Sequence, residues 1–176
     1  SGHVLFMTSQ VRDKMNTRSP AMAGKDASGG NAPKFYSSLT GEIKKPWSDT
    51  YIFENPSDTK SKIIGRMVEI KFIKTFNEKT GMILSYPVKV GKGFWPEYEA
   101  MLYAQSYQLV LKPSQSRYVL SENFIADLQA AGIECPHSYH GERALREQFD
   151  SNPALSQFVL NKVRRALFGE SKQVQE

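Results

Sequence analysis

Apolar and polar positions alternate along this chain with several different periods. Val4 to Thr8 is a short, continuously apolar run, which predicts a strand buried on both faces of a parallel sheet. It begins with no approach segment and implies parallel neighbours absent from the sequence, so the chain reads as cut inside a fold. From Val11 to Asn31 no period is visible, and Gly, Ser, Ala, Asn, Lys and Arg dominate. That length exceeds an ordinary connection and predicts a functional or disordered loop. Asn31 and Pro33 predict the start of a short helix through Tyr36. Leu39 to Lys45 reads as a strand, and Pro46 to Lys62 as an exposed connection.

Ile63 to Phe76 alternates in the manner of a strand. Val68, Ile70 and Phe72 share one face, against Glu69, Lys71 and Ile73 on the other. Turn residues Asn77 to Gly81 and a second run, Met82 to Val90, complete a predicted β-hairpin. The period then changes to that of a helix. Pro96 to Ser106 would bury Tyr98, Met101, Leu102 and Ala104. Leu109 to Leu120 holds short β segments. Ser121 caps a predicted helix, Glu122 to Ala131, which stops at Gly132. Cys135 to Gly141 reads as a loop, and Glu142 to Phe149 as a helix. Asn152 and Pro153 open a last helix with Leu155, Phe158, Val159, Val163 and Leu167 on one stripe. The expected organisation is an α/β part over residues 1–92, a small α+β domain over 93–168 and a polar tail over 169–176.

Composition changes this picture in one respect. The net charge of +5 favours an anionic partner such as nucleic acid, though many basic proteins bind none. Cys135 is the only cysteine, which excludes an internal disulfide and fits a reducing, cytoplasmic compartment. No apolar stretch is long enough to span a membrane.

Two segments carry candidate chemistry. Gln10 stands at the carboxyl end of the first predicted strand, where ligands bind in open α/β sheets. From spacing alone, an amide facing water is the favoured reading. The loop behind it holds the cations Arg12, Lys14, Arg18 and Lys25, the apolar Met15 and Met22, and then Gly29-Gly30-Asn31. Cations track a phosphate backbone, apolar side chains wedge between bases, and glycines let the main chain approach phosphates. A solvated loop is the alternative. Cys135, His137 and His140 lack the paired spacing of a zinc module, and no nucleophile elbow supports Ser/His/Asp catalysis.

Gln10-Val11-Arg12 followed by Gly29-Gly30-Asn31-Ala32-Pro33-Lys34-Phe35-Tyr36-Ser37-Ser38 resembles the strand end, second DNA-binding loop and following helix of bacterial and phage RecA recombinases. The similarity continues through Leu39 to Lys45. It returns in Lys71 to Phe76, in Gly91-Lys92-Gly93-Phe94 and in Asp150-Ser151-Asn152-Pro153, with the last helix ending Lys162-Val163-Arg164-Arg165. The resemblance implies the C-terminal part of a RecA-type ATPase core followed by a small C-terminal domain that captures duplex DNA. It implies that Gln10 senses the nucleotide γ-phosphate and that Lys74 reaches a neighbour's ATP. Arg12, Lys14, Gly29, Gly30 and Asn31 would contact the single-strand backbone, with Arg18 and Lys25 in the same DNA-binding loop. Met15 would insert between bases, and Phe35 would couple neighbours in a filament.

Departures from the family pattern are Phe76 where a second lysine is common, Thr40 where a basic residue is common, and the added helix Glu122 to Ala131. They point to a phage or mobile-element branch. No Gly-x-x-x-x-Gly-Lys-[Ser/Thr] phosphate loop occurs. The family's catalytic Glu and Mg-binding Asp lie upstream of Val4. ATP and Mg are therefore expected in a complete parent and not on this chain alone, which should not hydrolyse ATP. The expected partners are single-stranded DNA, double-stranded DNA and filament neighbours, in DNA repair and recombination. A second reading is a stand-alone, non-enzymatic module that binds DNA or caps a full-length recombinase. A phosphate loop in frame upstream would separate the two.

Overall fold

A computed structural model describes residues 5–13, 25–27, 35–44, 50–76 and 81–169. It shows a mixed α/β protein with antiparallel pairings and, among the described residues, four helices. The strands are β1 (Val11–Asp13), β2 (Lys25–Ala27), β3 (Thr40–Lys44), β4 (Tyr51–Phe53), β5 (Ile63–Lys74), β6 (Ile83–Lys89), β7 (Gly93–Phe94), β8 (Val110–Ser114), β9 (Arg117–Leu120) and β10 (Ser138–His140). The helices are α1 (Pro96–Ser106), α2 (Glu122–Ala130), α3 (Gly141–Ser151) and α4 (Pro153–Phe168). One sheet has the order β3-β5-β6-β7, with β4 also paired to β5; another has the order β10-β9-β8; β1 and β2 form a pair by themselves.

The chain divides into two compact units. The first comprises Ser1–Glu42 and Lys71–Ile83. Phe72 and the strand beyond the turn exchange backbone hydrogen bonds here, Phe72 N donating to Met82 O at 2.9 Å and Gly81 N to Phe72 O at 2.8 Å. The predicted hairpin therefore forms; its turn residues 77–80 lie outside the described residues. Residues 5–10 are not a buried strand. They have no regular secondary structure, and Leu5, Phe6 and Met7 are 82%, 90% and 71% exposed. A strand buried on both faces needs strands paired along its edges, and residues 5–10 belong to no strand pairing among the described residues. The stretch from Val11 to Asn31 is not aperiodic throughout either. It contains β1 and β2, each too short to show a period of two. Phe35 and Tyr36 are helical, as the predicted short helix requires, while residues 31–34 lie outside the described residues.

The second unit comprises Ile43–Ile70 and Leu84–Glu176, and so includes segments on both sides of position 92. Its core joins Trp95, Tyr98, Met101 and Ala104 to Phe124, Leu145, Phe149, Leu155 and Val159, with Ile52 from β4. Helix α1 packs against α3 and α4, while β9 and β10 cover α3. Apolar residues recur at helical spacing along α1 and α4, which is why one stripe of each is buried. Helix α4 starts where expected: Asn152 Oδ1 accepts from Leu155 N at 3.1 Å and Pro153 occupies the first turn. At α2, Ser121 takes the N-cap position, yet its hydroxyl makes no capping bond.

Three local readings are corrected in this unit. The connection from Pro46 to Lys62 contains β4, whose Ile52 is buried. The loop from Cys135 to Gly141 contains β10, paired with β9 so that Tyr139 faces Tyr118 in the register. Leu167, assigned to the buried stripe of α4, is 59% exposed, because the core ends at Val163. Each strand is only three residues long and owes its pairing to a longer neighbour.

Gly65 marks the tightest approach. A Cβ there would lie 2.8 Å from the Val88 carbonyl oxygen and 2.9 Å from the Trp95 ring. Neither a backbone oxygen nor a fully buried indole yields easily. Gly65→Ala is therefore expected to destabilise the protein by about 1–3 kcal/mol, the usual cost of overpacking. Urea unfolding followed by circular dichroism measures it; an unchanged midpoint would show that the Trp95 ring moves freely.

Candidate nucleic-acid interface

In the first unit, β1 and β2 pair antiparallel, with Val11 opposite Ala27, Arg12 opposite Asp26 and Asp13 opposite Lys25. The pairing brings residues 13 and 25 together. Arg12 and Lys25, twelve or more positions apart, thus become neighbours on a two-stranded neck. The register also pairs each of these two residues with an aspartate, which sequence spacing did not reveal. Lys14, Met15, Arg18, Gly29, Gly30 and Asn31 lie outside the described residues.

Gln10 is exposed and immediately precedes β1. Any change at its amide is therefore one residue from the neck. Phe35 is 76% exposed, and its carbonyl oxygen accepts a hydrogen bond from Lys74 Nζ at 2.9 Å. These residues are 39 positions apart in sequence. Nearby, the Ser37 and Thr40 hydroxyls hydrogen-bond at 2.8 Å, closing the bend between the helical turn and β3. The first unit thus brings Phe35 and Lys74 together and holds Arg12 and Lys25 on a shared neck.

The second unit contains two side-chain constellations that pattern reading missed. Asp150, near the end of α3, accepts from Lys89 Nζ at 2.9 Å through one oxygen and from Trp95 Nε1 at 2.6 Å through the other. The Lys89 ammonium also sits 4.3 Å from the Trp95 ring centroid. A cation over an indole whose N–H is simultaneously bound gains both ion-pair and cation–π attraction. The other constellation is Arg146, a 3% exposed cation that donates to Phe53 O at 2.8 Å and Glu54 O at 2.5 Å. It stands between Leu145 and Glu147 in a mixed stretch of α3, and no motif announces it.

Burial shifts several ionisable groups facing this core, Tyr98, Cys135 and Tyr139 among them. Burial, then the nearby Glu142 carboxylate, raises Tyr98 well above the ordinary phenol range; Tyr98 Oη lies 3.4 Å from Glu142 Oε1. Burial also pushes the Cys135 thiol up, which argues against an activated nucleophile there. Among the described residues no three of His, Cys, Asp and Glu converge as a metal site, and no helix is long and apolar enough to cross a membrane. No protein-family model matches this chain, and no curated protein does.

Proposed function

We propose that this chain is the DNA-facing, C-terminal part of a RecA-type, ATP-dependent strand-exchange protein that forms filaments on single-stranded DNA. The Lys74 ammonium on the Phe35 carbonyl carries this reading, because the RecA resemblance assigns both residues to contacts between filament neighbours. Their closeness gives a neighbour's nucleotide and the segment after the DNA loop a shared contact. The β1–β2 neck supports the same reading. Its first strand follows directly on Gln10, where a signal from a γ-phosphate would enter. The small α+β part that begins near Gly93 is the proposed duplex-capturing domain, in a protein expected to work in the cytoplasm.

ATP and Mg belong to the complete parent in this account. The phosphate cradle is not in this sequence. Of the residues present, Gln10 and Lys74 would face the nucleotide as polar donors. When bound, the nucleotide supplies a γ-phosphate whose presence or absence separates two states of the loop.

In the complete parent, Gln10→Ala should leave nucleotide affinity nearly unchanged and abolish the ATP-dependent gain in single-strand affinity. Lys74→Ala should lower filament ATPase instead. Nucleotide binding and single-strand binding, each measured with and without a non-hydrolysable ATP analogue, separate these effects. Retention of the full gain by Gln10→Ala would remove the sensor role.

A further inference from the structure

The second compact unit carries an open surface away from the β1–β2 residues in sequence. An open groove of about 480 Å³ runs past Tyr51, Arg66, Lys89, Lys92, Gly91 and Gly93. Its lining includes Ile63 and Val90, which are 42% and 65% exposed, and among the described residues no carboxylate. Tyr51 and Arg66 are direct register partners across β4 and β5. Directly opposed residues project from the same face of a sheet, so the phenol ring and the guanidinium stand side by side. Lys92 comes from another element, the turn between β6 and β7. Gly91 and Gly93 flank it with φ of +76° and +92°, a conformation open to glycine and strained for other residues. Lys89 pairs with Asp150, whereas Arg66 and Lys92 have no ion pair among the described residues.

We infer that this groove binds a segment of single-stranded nucleic acid, with a base against Tyr51 and phosphates on Arg66 and Lys92. An aromatic face beside cations is how sequence-tolerant strand binders hold a base and its backbone. The charge pattern favours a strand over a free nucleotide. A strand carries one charge per phosphate along its length, which suits two cations on separate elements. A free triphosphate concentrates its charge at one point and needs converging donors. The inference rests on the single-strand reading above but uses none of the residues of the β1–β2 neck.

The test uses the whole 176-residue chain and an oligothymidylate of about 20 nucleotides, long enough for one site. Trp95 lies under the groove, against Gly65 and Lys89. In a Trp47→Phe background it is the only remaining tryptophan. The oligonucleotide should change Trp95 emission saturably. Arg66→Gln and Lys92→Gln should each lower the log–log salt slope of binding by roughly 0.7, and Tyr51→Ala should weaken binding about ten-fold without changing the slope. Lys92→Gln sits on an exposed turn and should unfold at the same temperature as the parent chain, which keeps the test independent of folding. Unchanged slopes in both cation variants overturn the inference, as does a Trp95 response to free ATP and none to the strand. If Arg12→Ala and Lys14→Ala abolish strand binding while the groove variants do nothing, the groove falls and the single-strand reading stands. If the unsubstituted chain does not bind the strand, the groove falls, and the single-strand reading is decided by the salt series in the complete parent.

Discussion

Arg146→Ala should destabilise the second compact unit by about 2–4 kcal/mol. The guanidinium is 3% exposed and serves two adjacent carbonyl oxygens at the end of β4, Phe53 O and Glu54 O. Hydrogen bonds to a charged donor are each worth about 1.5–3 kcal/mol, and the loss leaves acceptors without a partner. The half-exposed position of Phe53 and the exposed position of Glu54 let water replace part of that loss, which holds the estimate below the full sum. Arg146→Lys should recover little, since an ammonium does not offer two donors in the fixed fork of a guanidinium. Chemical denaturation of both variants measures this. The connection from Pro46 to Lys62 should also become the first site of proteolysis in Arg146→Ala, because this bond ties β4 to α3. Equal stability of Arg146→Ala and the parent would mean that Ile52 alone anchors β4.

The helices were legible because each combines a stripe with an end signal. In α4, Asn152 and Pro153 mark the start, and Leu155, Val159 and Val163 recur at helical spacing and are buried. The hairpin of β5 and β6 was legible from alternation, with Val68 buried and Ile73 half exposed on the opposite side. Strands β4 and β10 were not, since three residues show no period and their pairing energy comes from a partner distant in sequence. The run Val4 to Thr8 misled for a related reason. Apolar character states what a segment would bury and not whether a neighbour is present to bury it. Phe94 behaves similarly, being 74% exposed beside Tyr86 at a ring separation of 4.9 Å.

The candidate site divides along the same line. Residue types in order, from Gln10 through Gly29-Gly30-Asn31 to Phe35, carry the family likeness. What they touch does not follow from order. The Lys74–Phe35 bond, the register pairing of Arg12 with Asp26 and of Asp13 with Lys25, and the Asp150 hub joining Lys89 to Trp95 all link residues distant in sequence. Charge counting alone would have assigned Lys89 to solvent, whereas it is held between a carboxylate and an indole.

Neutralising Arg12 and Lys14 should weaken single-strand binding regardless of sequence. A cation that holds a phosphate releases a counterion, so each lost contact costs about five-fold in affinity at roughly 0.1 M salt and lowers the log–log slope by roughly 0.7. The double variant should lose roughly 1.4 from the slope if the contacts are independent. Asp26, the register partner of Arg12 in β1–β2, adds a negative charge to the neck. Asp26→Asn should therefore tighten binding where Arg12→Ala loosens it. Met15 carries no charge, so Met15→Ala should leave the slope alone and impair strand exchange.

The most direct test of a DNA-facing role is single-strand affinity of the complete parent across a salt series, with a non-hydrolysable ATP analogue bound. The account predicts a slope reduced by roughly 0.7 in each of Arg12→Ala and Lys14→Ala and unchanged in Met15→Ala. Slopes identical to the parent in both cation variants would contradict it and make the neck a solvated connection.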